Sequence, residues 1–424
     1  MDISSKKDKR TILMSATACL PNAGSEAGVG WNVVTNMSHF YNVVVFTRKT
    51  NKEKIENYLK GHPIDNLRFV YYDIPSFIRW IFFTKKKLFR NRALIYDFLW
   101  HLMAIPSFKR LAKKSGAVLA HHVNQCQYRI LSPCYALNIP TVYGPLGGAE
   151  TVSEAFYQDL EQKTVNKENK RKQGSDRKLF RWYQSLTKGK KYFLFSCNEN
   201  MQRLEEYVVN GATKRLMPSV AYNEDDFAPY LRKPLDGEKP FTMIYAGTLF
   251  DWKGVKLFLK AADMSFDSHS NIEIKLIGIR DAEDQEKVKE WVRSTRIQDK
   301  IELIDFMPRN ELIARLTEAD LFVYPAFRDS GSMAVLEACA LGCPTICFNV
   351  GGQDVFPDDM MMKVDVKETY DNNVKAFSDE LRKAYDNRAY IYDMGLKIQA
   401  YVKDHFTWER KIDDLIKIYE EIIP

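Results

Sequence analysis

The stretch from Leu321 to Val355 reads LFVYPAFRDSGSMAVLEACALGCPTICFNVGGQDV, and its pattern decides the fold. Leu321–Tyr324 is a short apolar run closed by Pro325, the mark of a buried strand. Arg328 to Ser332 is a polar turn containing Gly331. Either Ser330 or Ser332 can cap a following helix, and Met333–Leu341 supplies one from good helix formers. Gly342-Cys343-Pro344 stops it. Thr345–Asn349 is a second strand, and Gly351-Gly352 a second flexible loop. Strand, loop, helix and strand make one βαβ unit, whose first loop lies where open parallel sheets hold ligands. N–H groups at the helix start suit a phosphate, because aligned peptide dipoles place roughly half a positive charge there. Two carboxylates bracket the loop: Asp329 and, eight positions on, Glu337. Glu337 lies more than a turn past the cap, too far in to act on the dipole. It is either a ligand-binding carboxylate or a solvated helix residue.

Toward the N-terminus, Phe241–Ala246 (FTMIYA) is a clean buried strand, and GTLFDWKG follows from Gly247 to Gly254. Lys253 ends that loop as either a phosphate-binding cation or a surface lysine before a helix. Thr11–Ala18 is the first strand of the chain. The loop after it, Pro21 to Trp31, carries Gly24, Gly28 and Gly30, which permit close backbone approach to a phosphate or sugar. The spacing is not GxGxxG, so the loop alone specifies little. Ala117–Ala120 is a strand that delivers His121 and His122 to its C-terminal end, the edge where such sheets form clefts. Neither histidine has the i, i+4 partner of a helical metal site. Thr141–Tyr143 leads into a further loop, Gly144 to Glu150, at the same edge.

Together these stretches resemble the family 4 retaining glycosyltransferases, which have the GT-B fold. Asp329 and Glu337 match the family's pair of acids eight apart, with Asp where Glu is more usual. Gly247–Gly254 matches the family's phosphate loop, with Thr248 where an Arg is usual. Gly24–Trp31 and Gly144–Glu150 resemble one subset of the family. The resemblance implies that Asp329 contacts hydroxyls of the transferred sugar and Glu337 the ribose of the nucleotide. It places the backbone of Ser330, Gly331, Ser332 and Met333 beside the sugar and diphosphate, with Gly247 and Thr248 also at the donor. Lys253 would stabilise the leaving group, and Arg328 or Arg280 would stand in for the missing Arg. Gly24 and Gly28 would face the diphosphate across the cleft. One of His121 and His122, left undecided, would lie near the reacting sugar, and Met307-Pro308 would meet the base through backbone atoms. Gly147, Gly148 and Glu150 are candidate acceptor contacts, or a plain tight turn.

Length and composition fit a two-lobed enzyme. The chain has 424 residues, 45% hydrophobic and 28% charged, with net charge +7, which suits two to three globular domains. Lys214–Pro240 holds four prolines and few apolar runs, so it reads as the linker. Seven cysteines show no CxxC spacing, which leaves buried structural thiols in a reducing compartment rather than a zinc or redox motif. Lys6–Leu20 imitates a signal peptide, but its apolar part is short and carries Thr11, Ser15 and Thr17. It reads as a strand. No run of apolar residues is long enough to span a bilayer.

The charge is unevenly placed. Arg79 to Lys114 holds ten Lys or Arg against one acid, Asp97. Aromatics such as Phe77, Trp80, Phe82 and Trp100 interleave. An anionic membrane surface gripped through Lys85, Lys86, Lys87 and Arg90 is one reading. A solvated face over core aromatics is a second and nucleic acid a third, though no nucleic-acid module accompanies it. Asp159–Lys178, also highly charged, reads as a mobile helix or loop on the acceptor side.

The expectation is an α/β protein of GT-B type, with two Rossmann-like domains facing a central cleft. Residues 1–216 would form the acceptor-side domain, joined by the C-terminal helix 405–424, and 217–404 the donor domain. The implied activity moves a sugar, with retention, from a UDP- or GDP-sugar to a glycan or polyprenyl-linked glycan. It needs no cofactor, metal or nucleic acid, and it works in the cytoplasm, peripherally on the inner face of the cell membrane, in cell-surface polysaccharide synthesis. A nucleotide-sugar epimerase and a non-catalytic membrane scaffold are the alternatives.

Overall fold

Parallel strands buried on both faces read as near-continuous apolar runs, and two sets of them organise this molecule. The computed structural model describes residues 9–78, 80, 92–187 and 189–423. Lys85, Lys86, Lys87 and Arg90 lie outside the described residues.

The first lobe is a seven-stranded sheet: β1 (Thr11–Ser15), β2 (Asn42–Arg48), β3 (Leu67–Tyr72), β4 (Leu119–His122), β5 (Thr141–Leu146), β6 (Lys191–Phe195) and β7 (Thr213–Leu216). All neighbours are parallel, in the order β3-β2-β1-β4-β5-β6-β7. The second lobe holds β8 (Phe241–Ala246), β9 (Ile272–Ile277), β10 (Ile301–Ile304), β11 (Leu321–Tyr324), β12 (Thr345–Phe348) and β13 (Met362–Val364). Its order is β10-β9-β8-β11-β12-β13, again parallel throughout. In each lobe the strand order reverses once, between β1 and β4 and between β8 and β11. Loops leaving the carboxyl ends of those strands diverge and open a crevice. The two crevices face one another.

Two segments cross between the lobes side by side. Near Tyr222 the chain pairs with Thr407: the Tyr222 N–H donates to Phe406 O at 3.1 Å and the Trp408 N–H to Tyr222 O at 3.0 Å. The final helix, Trp408–Ile422, returns to the first lobe, where Trp408, Ile412, Leu415 and Tyr419 join the core under β1 and β2. A third connection is absent from the linear reading. Val152, Phe156 and Leu160 follow β5 in the chain but pack in the second lobe's core. Phe156 stacks on Phe327 with ring centroids 4.0 Å apart. Burying one such ring stabilises by roughly 1.5–3 kcal/mol, so this segment ties the lobes at the loop after β11.

Candidate active site

The loop after β11 is held from three sides. Asp329 accepts a hydrogen bond from Lys253 Nζ at 2.8 Å, one from the Tyr324 hydroxyl, and one from the Gly331 N–H at 3.1 Å. Lys253 also donates to the Tyr324 hydroxyl. Burial pushes the Asp329 carboxyl up, but the Lys253 charge and these hydrogen bonds outweigh it and hold the group below the usual range. The Gly352 N–H donates to the Asp329 carbonyl at 2.7 Å. Gly351 has φ +52°, and a Cβ there would collide with that same carbonyl oxygen. Glycine is required by both conformation and space. Lys253 arrives from the loop after β8, on the short turn Asp251–Lys253, ended by Gly254 at φ +70°. Lys253, Asp329 and Tyr324 thus meet at the point where the strand order reverses.

Ser332, not Ser330, caps the helix Met333–Ala340: its Oγ accepts from the Val335 N–H at 3.3 Å. The first turn of a helix leaves further N–H groups without intrahelical partners, so Met333 and Ala334 present donors to the cleft. Glu337, one turn on, does not touch Lys253 or Asp329. Arg309 grips it through Nε at 2.9 Å and a second nitrogen at 2.8 Å. Burial raises the Glu337 carboxyl and the Arg309 charge opposes that rise.

Glu337, Arg309 and Met333 form one wall of a cavity of about 410 Å³, and Asn22, Gly24 and Gly28 form part of the other. A smaller hollow of about 120 Å³ adjoins it, sharing Val29 and Met333 and reaching Gly331, Glu26, Asn124 and Gln125. The first-lobe wall is cross-linked by hydrogen bonds: Thr17 donates to Gln125 Oε1 at 2.7 Å, the Gln125 N–H to Glu26 at 3.0 Å, and Asn124 to the carbonyls of Ala18 and Glu26.

Several expectations are corrected. His121 and His122 do not face the cleft. His121 bonds the Tyr419 hydroxyl at 2.6 Å and Gly144 O at 3.0 Å inside the first lobe, and burial lowers it to about 4. His122 is buried beside His101, and burial depresses it strongly as well. Asn124 and Gln125, two and three residues past His122, reach the groove instead. Glu150 is 1% exposed and is no open acceptor contact. It receives the Ser330 hydroxyl, Asn200 Nδ2 at 2.8 Å and the Gly148 N–H at 3.0 Å, so it fastens the loop after β11 to the first lobe. Gly147 sits against Ser330 in the same junction. Arg328 does not replace the missing Arg: it pairs with buried Glu168 at 3.1 Å and lies 4.6 Å over the Trp252 ring. Arg280 lies 4.3 Å over Phe306, beyond β9, and Thr248 is exposed at the loop surface. For Asp159–Lys178, read as a mobile helix or loop, the structure takes the helical alternative: the helix Gln162–Gln173, joined through Gly174 to a second helix, Ser175–Gln184.

The linear pattern missed Tyr324, Arg309, Asn124, Gln125 and Glu168. Tyr324 carried a usable signal, a hydroxyl on the last residue of a buried strand. The others are placed by contacts distant in sequence. No cluster of three or more His, Cys, Asp or Glu with metal-holding geometry occurs among the described residues, and none of their helices is long and apolar enough to cross a membrane.

Comparison with known proteins agrees with this fold. Residues 226–402 match the family of Glycosyl transferases group 1. A D-inositol 3-phosphate glycosyltransferase of Paenarthrobacter aurescens is 25% identical over 204 residues, covering 46% of this chain and 49% of that protein. An O-antigen chain mannosyltransferase B of Escherichia coli is 25% identical over 178 residues, covering 42% and 45%. These matches span about half the length of the relatives. The solved structure of Anabaena HepE in complex with UDP-glucose superposes with TM-score 0.61 at 9% identity, over 97% of this chain and 99% of that one. The fold is GT-B.

Proposed function

We propose that this chain is a family 4 retaining glycosyltransferase that moves a hexose from a nucleoside-diphosphate sugar to a glycan or polyprenyl-linked acceptor, in cell-surface polysaccharide synthesis. One observation carries the reading. Lys253 and Asp329 meet where β8 and β11 diverge, just ahead of the helix Met333–Ala340, whose first residue lines the groove opposite the Gly24–Gly28 loop. That is the arrangement a sugar diphosphate requires. The helix start and Lys253 receive the negative charge that builds on the departing diphosphate. Asp329, ionised at neutral pH, orients the sugar and offsets positive charge developing at its anomeric carbon. Glu337 hydrogen-bonds the ribose once Arg309 shares it.

The acceptor oxygen attacks the anomeric carbon on the face the diphosphate leaves. The carbon–oxygen bond to phosphate breaks and the acceptor proton passes to the departing phosphate oxygen, so the configuration is kept and no enzyme adduct forms. The protein's side chains supply the charges, and no metal or cofactor is invoked. The UDP-glucose bound by HepE and the O-antigen product of the Escherichia coli relative support the donor and product classes.

The protein acts at the cytoplasmic surface of the membrane in this reading. The helix Arg92–Ser115 turns Tyr96, Trp100, Ala104 and Phe108 into the core, which answers for part of the aromatic content. Ile95, Phe98 and Leu102 remain exposed along it, as do Phe77 and Trp80 before it. An apolar stripe beside basic residues suits an anionic bilayer surface.

Thermal-shift screening against UDP-glucose, UDP-galactose, UDP-N-acetylglucosamine and GDP-mannose tests the donor class. At least one should raise the melting temperature, and the rise should vanish in Glu337→Ala. No shift with any nucleotide sugar would count against the reading. Conversion of the sugar nucleotide without acceptor would instead point to an epimerase.

A further inference from the structure

Away from the donor groove, the helix Gln162–Gln173 of the first lobe and the turn Asp251–Lys253 of the second enclose a separate hollow of about 460 Å³. That is within the roughly 300–1,000 Å³ of small-ligand sites. It shares no residue with the cavities of the cleft. Part of its wall is aromatic. Phe250 and Trp252 stack with centroids 4.6 Å apart and planes 2° from parallel. Phe250 keeps 48% of its surface exposed, and Trp291, partly exposed, lines the same hollow.

The rim is charged but balanced, with four carboxylates and four ammonium groups. Most are spent on each other. Lys163 pairs with Glu161 at 2.5 Å, Lys256 with Asp159 at 3.1 Å, and Lys287 with Asp284 at 3.8 Å and, just outside the rim, with Glu283 at 2.9 Å. Asp251 receives the N–H groups of Glu161 at 2.9 Å and Trp252 at 3.0 Å. No net field draws a phosphate or an anionic headgroup here. An exposed aromatic face among fixed donors and acceptors fits a neutral saccharide instead. The C–H face of a pyranose rests on the negative π surface. Its hydroxyls donate to carboxylates and accept from ammonium groups.

We propose that this hollow is a second saccharide site, separate from the donor groove. It is coupled to the reaction centre through one short turn. Trp252 lines the hollow, and the next residue, Lys253, bonds Asp329 at 2.8 Å. Arg328, stacked on Trp252, is the immediate neighbour of Asp329. A sugar held here is placed to be a remote unit of the acceptor glycan. That last role rests on the transfer reading; the binding itself does not.

Saturation-transfer NMR on the full chain tests it, with glucose, galactose, mannose, N-acetylglucosamine, lactose and cellobiose as probes. At least one neutral sugar should receive saturation, UDP and GDP should not displace it, and Phe250→Ala and Trp291→Ala should each weaken it tenfold or more. Phe250 is half exposed, so its variant should melt as the unchanged protein does and decides the matter if the Trp291 variant unfolds. The proposal is overturned by saturation of none of these sugars, by displacement with UDP or GDP, by binding confined to phosphorylated or uronic sugars, or by undiminished binding in Phe250→Ala. Failure of every nucleotide sugar in the thermal-shift screen leaves this readout intact, so the two failures are distinguishable.

Discussion

Replacing Lys253 with Met removes the cation beside Asp329 and keeps most of the side-chain volume. Asp329 would keep only the Tyr324 hydroxyl and the Gly331 N–H as partners. Breaking a fully buried ion pair costs about 3–5 kcal/mol. Here the two side chains are 20% and 18% exposed, so solvent screening reduces the cost to roughly 2–3 kcal/mol. For a lobe of this size that lowers its melting temperature by on the order of 5–10 °C. Asp329→Asn leaves Lys253 without its counter-charge and should cost a similar amount. The double variant removes both charges together. Its loss should fall short of the sum of the single losses by at least about 1 kcal/mol.

The same pair has a pH signature. Asp329 is held below the usual carboxylate range, so its stabilisation is present at neutral pH and fades as pH falls below about 4. Lys253→Met should lack most of that acid-dependent loss. If Lys253 receives charge on the departing diphosphate, its loss should reduce turnover by about 10²- to 10³-fold. The assays are calorimetric melting of the four proteins across pH and single-turnover rates with the donor found by screening. Strict additivity of the two single changes, or near-normal turnover in Lys253→Met, would refute the reasoning.

Five further outcomes are expected. Gly351→Ala should destabilise by roughly 2–4 kcal/mol, because it combines a positive φ with a collision against the Asp329 carbonyl. Gly24→Ala, with nothing within 4 Å of the added carbon, should stay within about 0.5 kcal/mol in the same denaturation series. Arg309→Ala removes the charge that opposes the burial-driven rise of Glu337. Nucleotide affinity, measured by titration calorimetry, should then begin to fall at a higher pH than in the unchanged protein as the solution is acidified and the carboxylate protonates; coincident profiles would show that Glu337 does not bind in its charged form. Turnover should persist in excess chelator, and a loss restored by a divalent ion would require a metal role. Neutralising Lys85, Lys86 and Lys87 should sharply reduce co-sedimentation with anionic vesicles, and salt-insensitive binding would argue against an electrostatic contact.

Much of the architecture was legible because parallel strands leave a strong local mark. FTMIYA, LFVY and TICF are largely apolar on both faces, IEIKLI is apolar on one and charged in part on the other, and all four are strands in the second sheet. The two edge strands of the first sheet were not legible. Leu67–Tyr72 is mostly half-buried, and Thr213–Leu216 (TKRL) is largely exposed. One covered face does not force the apolar run that two covered faces do.

The sequence by itself determined the two sheets and the loops that follow β8 and β11. It also determined the pairing of acids and lysine as the chemistry to look for, since spacing along the chain sets where a strand ends and a helix begins. Tertiary structure alone decided which polar groups are free. It buried His121 against Tyr419 and Gly144, and it turned Glu150 from an acceptor contact into a fastener for Ser330. It gave Arg328 to Glu168 and Arg309 to Glu337. The partners in these contacts range from 23 to nearly three hundred residues apart in the chain. No local pattern encodes them, because a side chain's protonation, reach and availability are set by what packs against it.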